Sequence, residues 1–299
     1  MRIILFIYIL LNIISCSTQQ VVYKDRIVTK TVTKIEKQVE VSQSAKLKNF
    51  KVSTKYYPAD SQNFRVRYLI LHYTVADFDR SIKILKTKNS AHYLISDRDN
   101  DSIELLVSEE NRAWHAGISN WGEDKGLNDT SIGIEIVNNG FKQDGKKMLF
   151  YDFPDFQIKK IGELCKDIVN RYKISPTNIL AHADIAPGRK QDPGPKFPWK
   201  KLYTDYNIGM WYNEEDKTNF EAVYPIDSIV NSTTFIQNTQ KDFKKLGYLI
   251  EVSGIWDSQT LKVIQTFQFH FRPQDYEGIL DKETWAILQA LNKKYRKKK

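Results

Sequence analysis

Short apolar strands alternate with amphipathic helices through the middle of the chain. Patterns typical of buried strands, rich in branched aliphatic and aromatic residues, occur at 67–73, 92–95, 103–107, 131–137 and 178–182. A short helix is predicted over 81–85, and a long amphipathic helix over 156–172 ends before Pro176. Because strands and helices interleave, the pattern predicts an α/β domain with one central sheet.

Polar side chains that could take part in catalysis or metal binding lie on these strands, mostly at their ends. His72 and His182 each close an apolar strand, and a sheet can bring two such ends together although they are distant in sequence. In the strand at 131–137, side chains alternate between the two faces, so Glu135 projects from the face opposite an isoleucine stripe.

The N-terminal segment has the pattern of an export signal. Residues 3–14 are apolar apart from Asn12, a length that suits a signal-peptide core and is too short to span a bilayer. The following Ser15 and Cys16 resemble a bacterial lipobox, which implies cleavage after Ser15 and lipidation of Cys16. By analogy with Gram-negative lipoproteins, Ser17 in place of aspartate implies an outer-membrane lipoprotein facing the periplasm of a Gram-negative envelope. An ordinary signal peptide with a chance cysteine is the alternative.

The C-terminal part contains an internal repeat. Residues 254–265 parallel residues 278–289, and each copy places an aspartate at the N-cap position of a helix. A preceding helix is predicted over 235–246, with Gly247 as its C-cap. These patterns predict three helices on one small core.

Changes in composition divide the chain into five parts. We predict a signal peptide, a tether rich in valine, threonine and lysine, a main domain, a polar linker, and a three-helix domain with a basic tail. Their bounds are 1–15, 16–48, 49–212, 213–231 and 232–299.

Overall composition excludes several classes of protein. Hydrophobic residues make up 41% of the chain, which supports a packed core rather than a disordered chain. Two cysteines are too few for a disulfide-stapled scaffold, and Cys165, on the apolar face of the long helix, is predicted to be a core thiol. The formal charge of +9 attracts polyanions, but no nucleic-acid motif accompanies it, so we predict no nucleic-acid binding.

Two histidines and a carboxylate would satisfy a catalytic zinc ion. Such an ion takes three protein ligands of nitrogen or oxygen type and keeps one position open for water, whose pKa falls to about 7. The chain has five histidines, so spacing alone does not select the ligands.

Five segments, in order along roughly residues 64–203, resemble the zinc-dependent N-acetylmuramoyl-L-alanine amidases of type 2. The segments are LHYT at 71–74, SAHYLI at 90–95, AWHAG at 113–117, NDTSIGIE at 128–135 and AHADIAPGRKQDPGP at 181–195. The resemblance implies a central mixed β-sheet flanked by helices. It also implies hydrolysis, by a zinc-activated water, of the amide bond between N-acetylmuramic acid and L-alanine in peptidoglycan or its anhydro-muropeptide fragments.

The same resemblance implies roles for individual residues. His72, His182 and Asp192 would hold Zn²⁺. Glu135 would be the catalytic glutamate that handles the proton of the attacking water, and Lys190 would stabilise the oxyanion.

The resemblance places the segment around Trp114 and His115 in the substrate groove. We include Asn128 among the candidate substrate-binding residues, with a loop-structuring role as an equal alternative. His92 is predicted to be structural, and no chemistry is assigned to His270.

The repeat region resembles peptidoglycan-binding modules of the three-helix type. The supporting residues are at 246–248, 267–271 and 278–281, whereas the usual acidic-glycine turn is not kept at 251–256. Binding of glycan and mere support of the main domain both remain open. The expected partners are muropeptides and a membrane reached through a lipid on Cys16, and we expect a monomer.

Two other functions are compatible with the motifs. One is an envelope zinc peptidase that cuts within the stem peptide, which product identification separates from an amidase. The other is a non-catalytic peptidoglycan receptor on the same fold. The intact set of His72, His182 and Asp192 disfavours a receptor, because a receptor needs no zinc ligands.

Overall fold

The computed structural model describes residues 15–23, 26–34, 59–87, 89–100, 102–145 and 147–296, which belong to two compact units. In the first unit, strand β1 (Ser15–Tyr23) pairs antiparallel with β2 (Arg26–Lys34), and Cys16 lies opposite Thr33. This part of the predicted tether is therefore a pair of antiparallel strands. Nearly all of the predicted signal peptide, and the tether beyond Lys34, lie outside the described residues.

The second unit contains a five-stranded mixed sheet. In chain order the strands of this unit are β3 (Tyr68–Tyr73), β4 (Tyr93–Ile95), β5 (Glu104–Leu105), β6 (Asn120–Trp121), β7 (Asp124–Lys125), β8 (Ser131–Ile136), β9 (Phe141–Asp144), β10 (Lys147–Phe150) and β11 (Ile179–Ala181). In the sheet, β11, β3, β8 and β4 run parallel in that order, and β5 pairs antiparallel with β4 at the edge. Two short antiparallel hairpins, β6–β7 and β9–β10, lie outside the sheet.

Helices flank this sheet and form the C-terminal part, as predicted. Within the described ranges no helix is both long enough and apolar enough to cross a membrane. The helices are α1 (Phe78–Leu85), α2 (Asp155–Tyr172), α3 (His182–Ile185), α4 (Trp199–Tyr206), α5 (Glu214–Ala222), α6 (Asp227–Val230), α7 (Thr233–Leu246), α8 (Ser258–Phe271) and α9 (Lys282–Tyr295).

The hydrophobic core includes the isoleucine stripe of β8 and the apolar face of α2. Ile132, Ile134 and Ile136 are fully buried, as the alternation in the sequence predicts. Cys165 is buried on α2, and burial raises the pKa of its thiol to about 12. It is therefore a core thiol rather than a nucleophile.

The N-caps of α8 and α9 and the C-cap of α7 lie where the sequence predicts, whereas α7 begins at Thr233, two residues before its predicted start. The Asp257 carboxylate accepts from the backbone N–H of Thr260 at 2.8 Å, and Asp281 accepts from Thr284 at the same distance. Gly247 is the C-cap of α7. The predicted linker at 213–231 instead contains α5 and α6, and α5 packs against α9.

The C-terminal helices and the main domain share one hydrophobic core. Phe267 lies 5.3 Å from Phe243 between ring centroids, inside the helical domain. Phe269 lies 5.5 Å from Phe150 of β10, and Phe271 lies 6.1 Å from Trp211. The three phenylalanines are thus divided between domain core and domain interface.

The Glu109 carboxylate of the main domain accepts hydrogen bonds from three side chains. Tyr93 and Tyr172 donate their hydroxyls to Glu109 at 2.6 and 2.7 Å, and the Arg171 guanidinium donates to both of its oxygens. The hydrogen bonds from Arg171 are the main reason that the pKa of Glu109 falls to about 2, although burial opposes the shift.

Replacing Glu109 with glutamine is expected to lower the free energy of unfolding at neutral pH by about 2 kcal/mol, because charge-assisted hydrogen bonds are lost. The native carboxyl has the lower pKa, so its contribution is present above about pH 4.5, the ordinary value, and is lost as the pH falls towards 2. Urea denaturation at pH 7 and pH 3 measures this. Glu110→Gln, at an exposed neighbour, should leave both values unchanged.

Candidate metal centre and active site

The three predicted metal ligands converge on one point. β11 pairs in parallel with β3, so Ala181 lies beside Leu71, and the residue that follows each of them, His182 or His72, is a predicted ligand. The Nδ1 atoms of His72 and His182 are 2.9 Å apart, and the Asp192 Oδ2 atom lies 3.1 and 2.9 Å from them. All three side chains are buried.

The protonation states of this group suit a cation. Burial, followed by repulsion from His182, lowers the pKa of His72 to about 4, so its imidazole is neutral at neutral pH. Burial opposes ionisation of Asp192, but the two histidines outweigh it and hold its pKa well below the usual range. Two imidazole nitrogens and one carboxylate are a donor set that catalytic zinc takes, so these residues fit the ion.

A chain of hydrogen bonds orients His72. The Ser131 hydroxyl donates to the Leu127 carbonyl at 2.6 Å, so its oxygen accepts from Nε2 of His115 at 3.1 Å. The other nitrogen of His115 then accepts from Nε2 of His72 at 3.0 Å. This order leaves the lone pair of His72 Nδ1 directed towards the other ligands, as metal binding requires.

His182 is oriented in the same way by a backbone group. Its Nε2 donates to the carbonyl of Ala116 at 3.1 Å, which leaves Nδ1 as the metal-facing atom. Neither support can be predicted from the sequence, because neither a serine in a strand nor a loop carbonyl carries a signal for this role.

His115 needs space that only glycine gives on strand β8. A Cβ atom on Gly133 would lie 2.4 Å from Cγ of His115. The backbone N–H of Gly133 donates to Nδ1 of His92 at 3.0 Å, and Nε2 of His92 donates to the carbonyl of Asn111 at 3.2 Å. His92 therefore has the predicted structural role.

Glu135 lies beside the ligands on the same face of the sheet. In the parallel register it is the partner of His72. Its Oε2 atom is buried and has no hydrogen-bond partner among the described residues. Burial, with Asp192 as the second cause, raises the pKa of Glu135 to about 8, and Lys190 opposes the shift. A carboxylate in this setting accepts a proton readily.

A cavity of about 550 Å³ opens above these groups. Of the candidate residues, His72 is buried and is not part of the cavity lining, and Cys16 belongs to the N-terminal unit. The cavity is lined by the seven others: Trp114, His115, Asn128, Glu135, His182, Lys190 and Asp192.

The three candidate substrate-binding residues differ in exposure. Trp114 is 55% exposed, and the Arg112 guanidinium lies 3.9 Å from its ring centroid. His115 and Asn128 are buried, and their hydrogen bonds are to protein groups. The Asn128 amide oxygen accepts from the backbone N–H groups of His115 and Ala116 at 3.0 and 2.8 Å, so it shapes the loop.

Comparison with known protein families identifies both parts of the chain. Residues 62–195 match the family described as N-acetylmuramoyl-L-alanine amidase. Residues 232–288 match the family described as a putative peptidoglycan binding domain. N-acetylmuramoyl-L-alanine amidase AmiD of Escherichia coli is 40% identical over 237 residues, which cover 77% of this chain and 84% of AmiD.

Two solved structures agree with the fold over most of its length. AmpDh3 of Pseudomonas aeruginosa, in complex with an anhydromuramic pentapeptide, superposes with a TM-score of 0.74 at 39% identity and covers 83% of this chain and 99% of its own. E. coli AmiD, in complex with anhydro-N-acetylmuramic acid-L-Ala-D-γ-Glu-L-Lys, gives a TM-score of 0.73 at 39% identity, covering 83% and 96%.

Proposed function

This chain belongs to the N-acetylmuramoyl-L-alanine amidases, which hydrolyse the amide bond between N-acetylmuramic acid and L-alanine, and we propose that it does so with a zinc ion held by His72, His182 and Asp192. The convergence of these three buried ligand atoms beside Glu135 is the observation that carries the proposal. Its substrates are anhydro-muropeptides, in line with the ligands bound to the similar enzymes AmpDh3 and AmiD.

Different residues of the cavity have different roles in amide hydrolysis. A bound zinc ion supplies Lewis-acid chemistry and lowers the pKa of water to about 7. Glu135 takes a proton from the attacking water on its Oε2 atom, which has no hydrogen-bond partner among the described residues, and delivers it to the leaving nitrogen of L-alanine. Lys190 lines the same cavity, and its cation stabilises the negative charge that develops on the carbonyl oxygen.

Trp114 is the candidate substrate contact with the most exposed surface. Replacing it with alanine is expected to raise KM about tenfold with little change in kcat, because a ring that stacks on substrate contributes about 1.4 kcal/mol of binding. Steady-state kinetics on a purified anhydro-muropeptide separates the two constants. Trp256→Ala, in the C-terminal domain, is the control. An unchanged KM for Trp114→Ala would show that Trp114 does not contact the substrate.

Product identification tests the reaction itself. Purified protein lacking residues 1–16 is incubated with anhydro-muropeptides, and the products are identified by mass spectrometry. Free peptides that begin with L-alanine are expected. Cleavage inside the stem peptide would instead indicate a peptidase, and bound but uncleaved muropeptide would indicate a receptor.

We propose further that the protein is a lipoprotein of the outer membrane, anchored through Cys16 and facing the periplasm. The apolar run at 3–14 followed by Ser15 and Cys16 supports this. Metabolic labelling with a fatty acid and membrane fractionation should place lipid on the wild-type protein and none on Cys16→Ala. Label on neither protein would indicate an ordinary signal peptide.

The match of residues 232–288 supports a role for the C-terminal domain in wall binding. We expect the whole chain, carrying Glu135→Gln to prevent cleavage, to be a monomer in solution and to sediment with insoluble peptidoglycan. Substitutions at the exposed residues Ile255 and Ile279 should weaken this binding. Unchanged binding would show that the wall contacts another surface.

A further inference from the structure

Asp184 is a fully buried carboxylate next to the metal centre. It follows His182 by two residues on the short helix α3, and its Oδ2 atom accepts from the backbone N–H of Ala181 at 2.8 Å. The Asp184 side chain thus fixes the backbone of Ala181, the residue that precedes the proposed ligand His182. It does not face the cavity lining, and the chemistry described above does not use it.

The other hydrogen bonds to Asp184 come from the C-terminal domain. The Tyr248 hydroxyl donates to Oδ1 at 2.7 Å, and Nδ1 of His270 donates to Oδ2 at 2.7 Å. His270 is also stacked on Trp199 of α4, with ring centroids 3.9 Å apart. Burial, followed by the charge of Asp184, raises the pKa of Tyr248 well above its usual value, so the hydroxyl remains a donor.

Tyr248 is held in place by close contact with the β6–β7 hairpin. The backbone N–H of Gly122 donates to the carbonyl of Gly247 at 2.7 Å, and the Tyr248 ring lies 4.9 Å from that of Trp121. A Cβ atom on Gly247 would lie 2.4 Å from the Trp121 ring, so this approach requires glycine. The domains therefore meet at a fixed geometry beside α3.

The position of α3 affects two of the three metal ligands. His182 is its first residue, and the backbone N–H of Ala183 donates to the carbonyl of Asp192 at 2.9 Å. A buried carboxylate that loses its donors must find others or move, because an unpaired buried charge is costly. Loss of the donors from the C-terminal domain would therefore shift α3 and, with it, both ligands.

We propose that Tyr248 and His270 are positioning residues for the metal ligand His182, acting through Asp184, so that the C-terminal domain is a structural part of the amidase site. This inference rests on the metal centre of the proposed function. The C-terminal helices would then support the metal centre whether or not they bind peptidoglycan.

The test compares hydroxyl deletions at one interface. Tyr248→Phe removes the hydrogen bond to Asp184, whereas Tyr276→Phe removes a hydroxyl that donates to the Met148 carbonyl at 3.2 Å, away from the metal centre. Zinc affinity of the metal-free whole chain is measured by competition with a chromophoric chelator. Substitution with Co²⁺ reports the ligand geometry through its visible spectrum, and urea denaturation reports stability.

Tyr248→Phe is expected to weaken zinc binding about tenfold, the lower end of the effect of losing an outer-shell partner, and to change the Co²⁺ spectrum. Tyr276→Phe should leave both unchanged. His270→Leu should resemble Tyr248→Phe, whereas His270→Asn keeps an N–H donor in place of Nδ1 and should lie closer to the wild type.

Three outcomes would overturn the inference. Wild-type zinc affinity and Co²⁺ spectrum in folded Tyr248→Phe and His270→Leu would show that the contact only stabilises the fold. Equal losses of affinity in Tyr248→Phe and Tyr276→Phe would show a general effect of the interface. A wild-type chain that binds no zinc would overturn the proposed metal centre itself, which distinguishes that failure from the other two.

Discussion

Replacing Glu135 with glutamine is expected to lower kcat for amide hydrolysis by about 10²–10⁴-fold, the usual contribution of a general acid–base group. Glutamine keeps the shape of the side chain but cannot take a proton from water. Because Oε2 has no partner among the described residues, its replacement should not disturb the fold. Zinc affinity and the unfolding transition should therefore remain those of the wild type.

The pH profile gives the Glu135 prediction a second readout. Its carboxyl must be ionised to act as a base, so kcat/KM of the wild type should rise as the pH increases through its pKa. That pKa is about 8 without a cation, and a bound dication lowers it, so the rise is expected below pH 8. The rise of kcat/KM with pH should be absent from Glu135→Gln and present in Glu104→Gln, which changes a residue on β5 of the same sheet. A fully active Glu135→Gln enzyme would show that Glu135 is not the general base.

Replacing Asp192 with asparagine is expected to weaken zinc binding by more than about 100-fold and to abolish amidase activity. The substitution removes the negative charge from the ligand set, and loss of a ligand should exceed the 10–100-fold effect of losing an outer-shell partner. The Asp192 Oδ2 atom lies within 3.1 Å of the Nδ1 atoms of both histidines, so all three ligand atoms can reach one ion.

Chelator competition on the metal-free protein measures the effect of Asp192→Asn. Asp152→Asn is the matched control, because that carboxylate is 81% exposed and pairs with Lys196 at the surface. The control should bind one zinc ion per chain with wild-type affinity. Wild-type affinity in Asp192→Asn as well would place the ion elsewhere.

The central sheet could be predicted because its strands carry their own signal. Residues such as Ile132 and Leu69 are fully buried, and runs of branched aliphatic residues mark them in the sequence. The helix at 214–222 escaped prediction for the opposite reason. It has no fully buried residue, and it packs on α9 through partly buried groups such as Phe220, 6.1 Å from Trp285 between ring centroids.

The candidate metal ligands can be predicted from motifs, whereas the groups that orient them cannot. His72 and Glu135 occupy motif positions, and the parallel register of β3 and β8 places them side by side. Asp192 also occupies a motif position, but it lies outside the strands, so its approach to the two candidate histidine ligands depends on the path of its loop. The link from Asp184 to His270 spans 86 residues and depends on how two domains dock. No local pattern encodes such a contact, because the geometry arises only from tertiary packing.

The most direct test of the proposed zinc-dependent mechanism is to remove and return the metal while the product is followed by mass spectrometry. Chelation should abolish release of peptides that begin with L-alanine, and about one equivalent of zinc per chain should restore it. Neither Asp192→Asn nor Glu135→Gln should recover. Continued release of these peptides by metal-free protein would contradict a metal-dependent mechanism, and recovery in Asp192→Asn would contradict the ligand set of His72, His182 and Asp192.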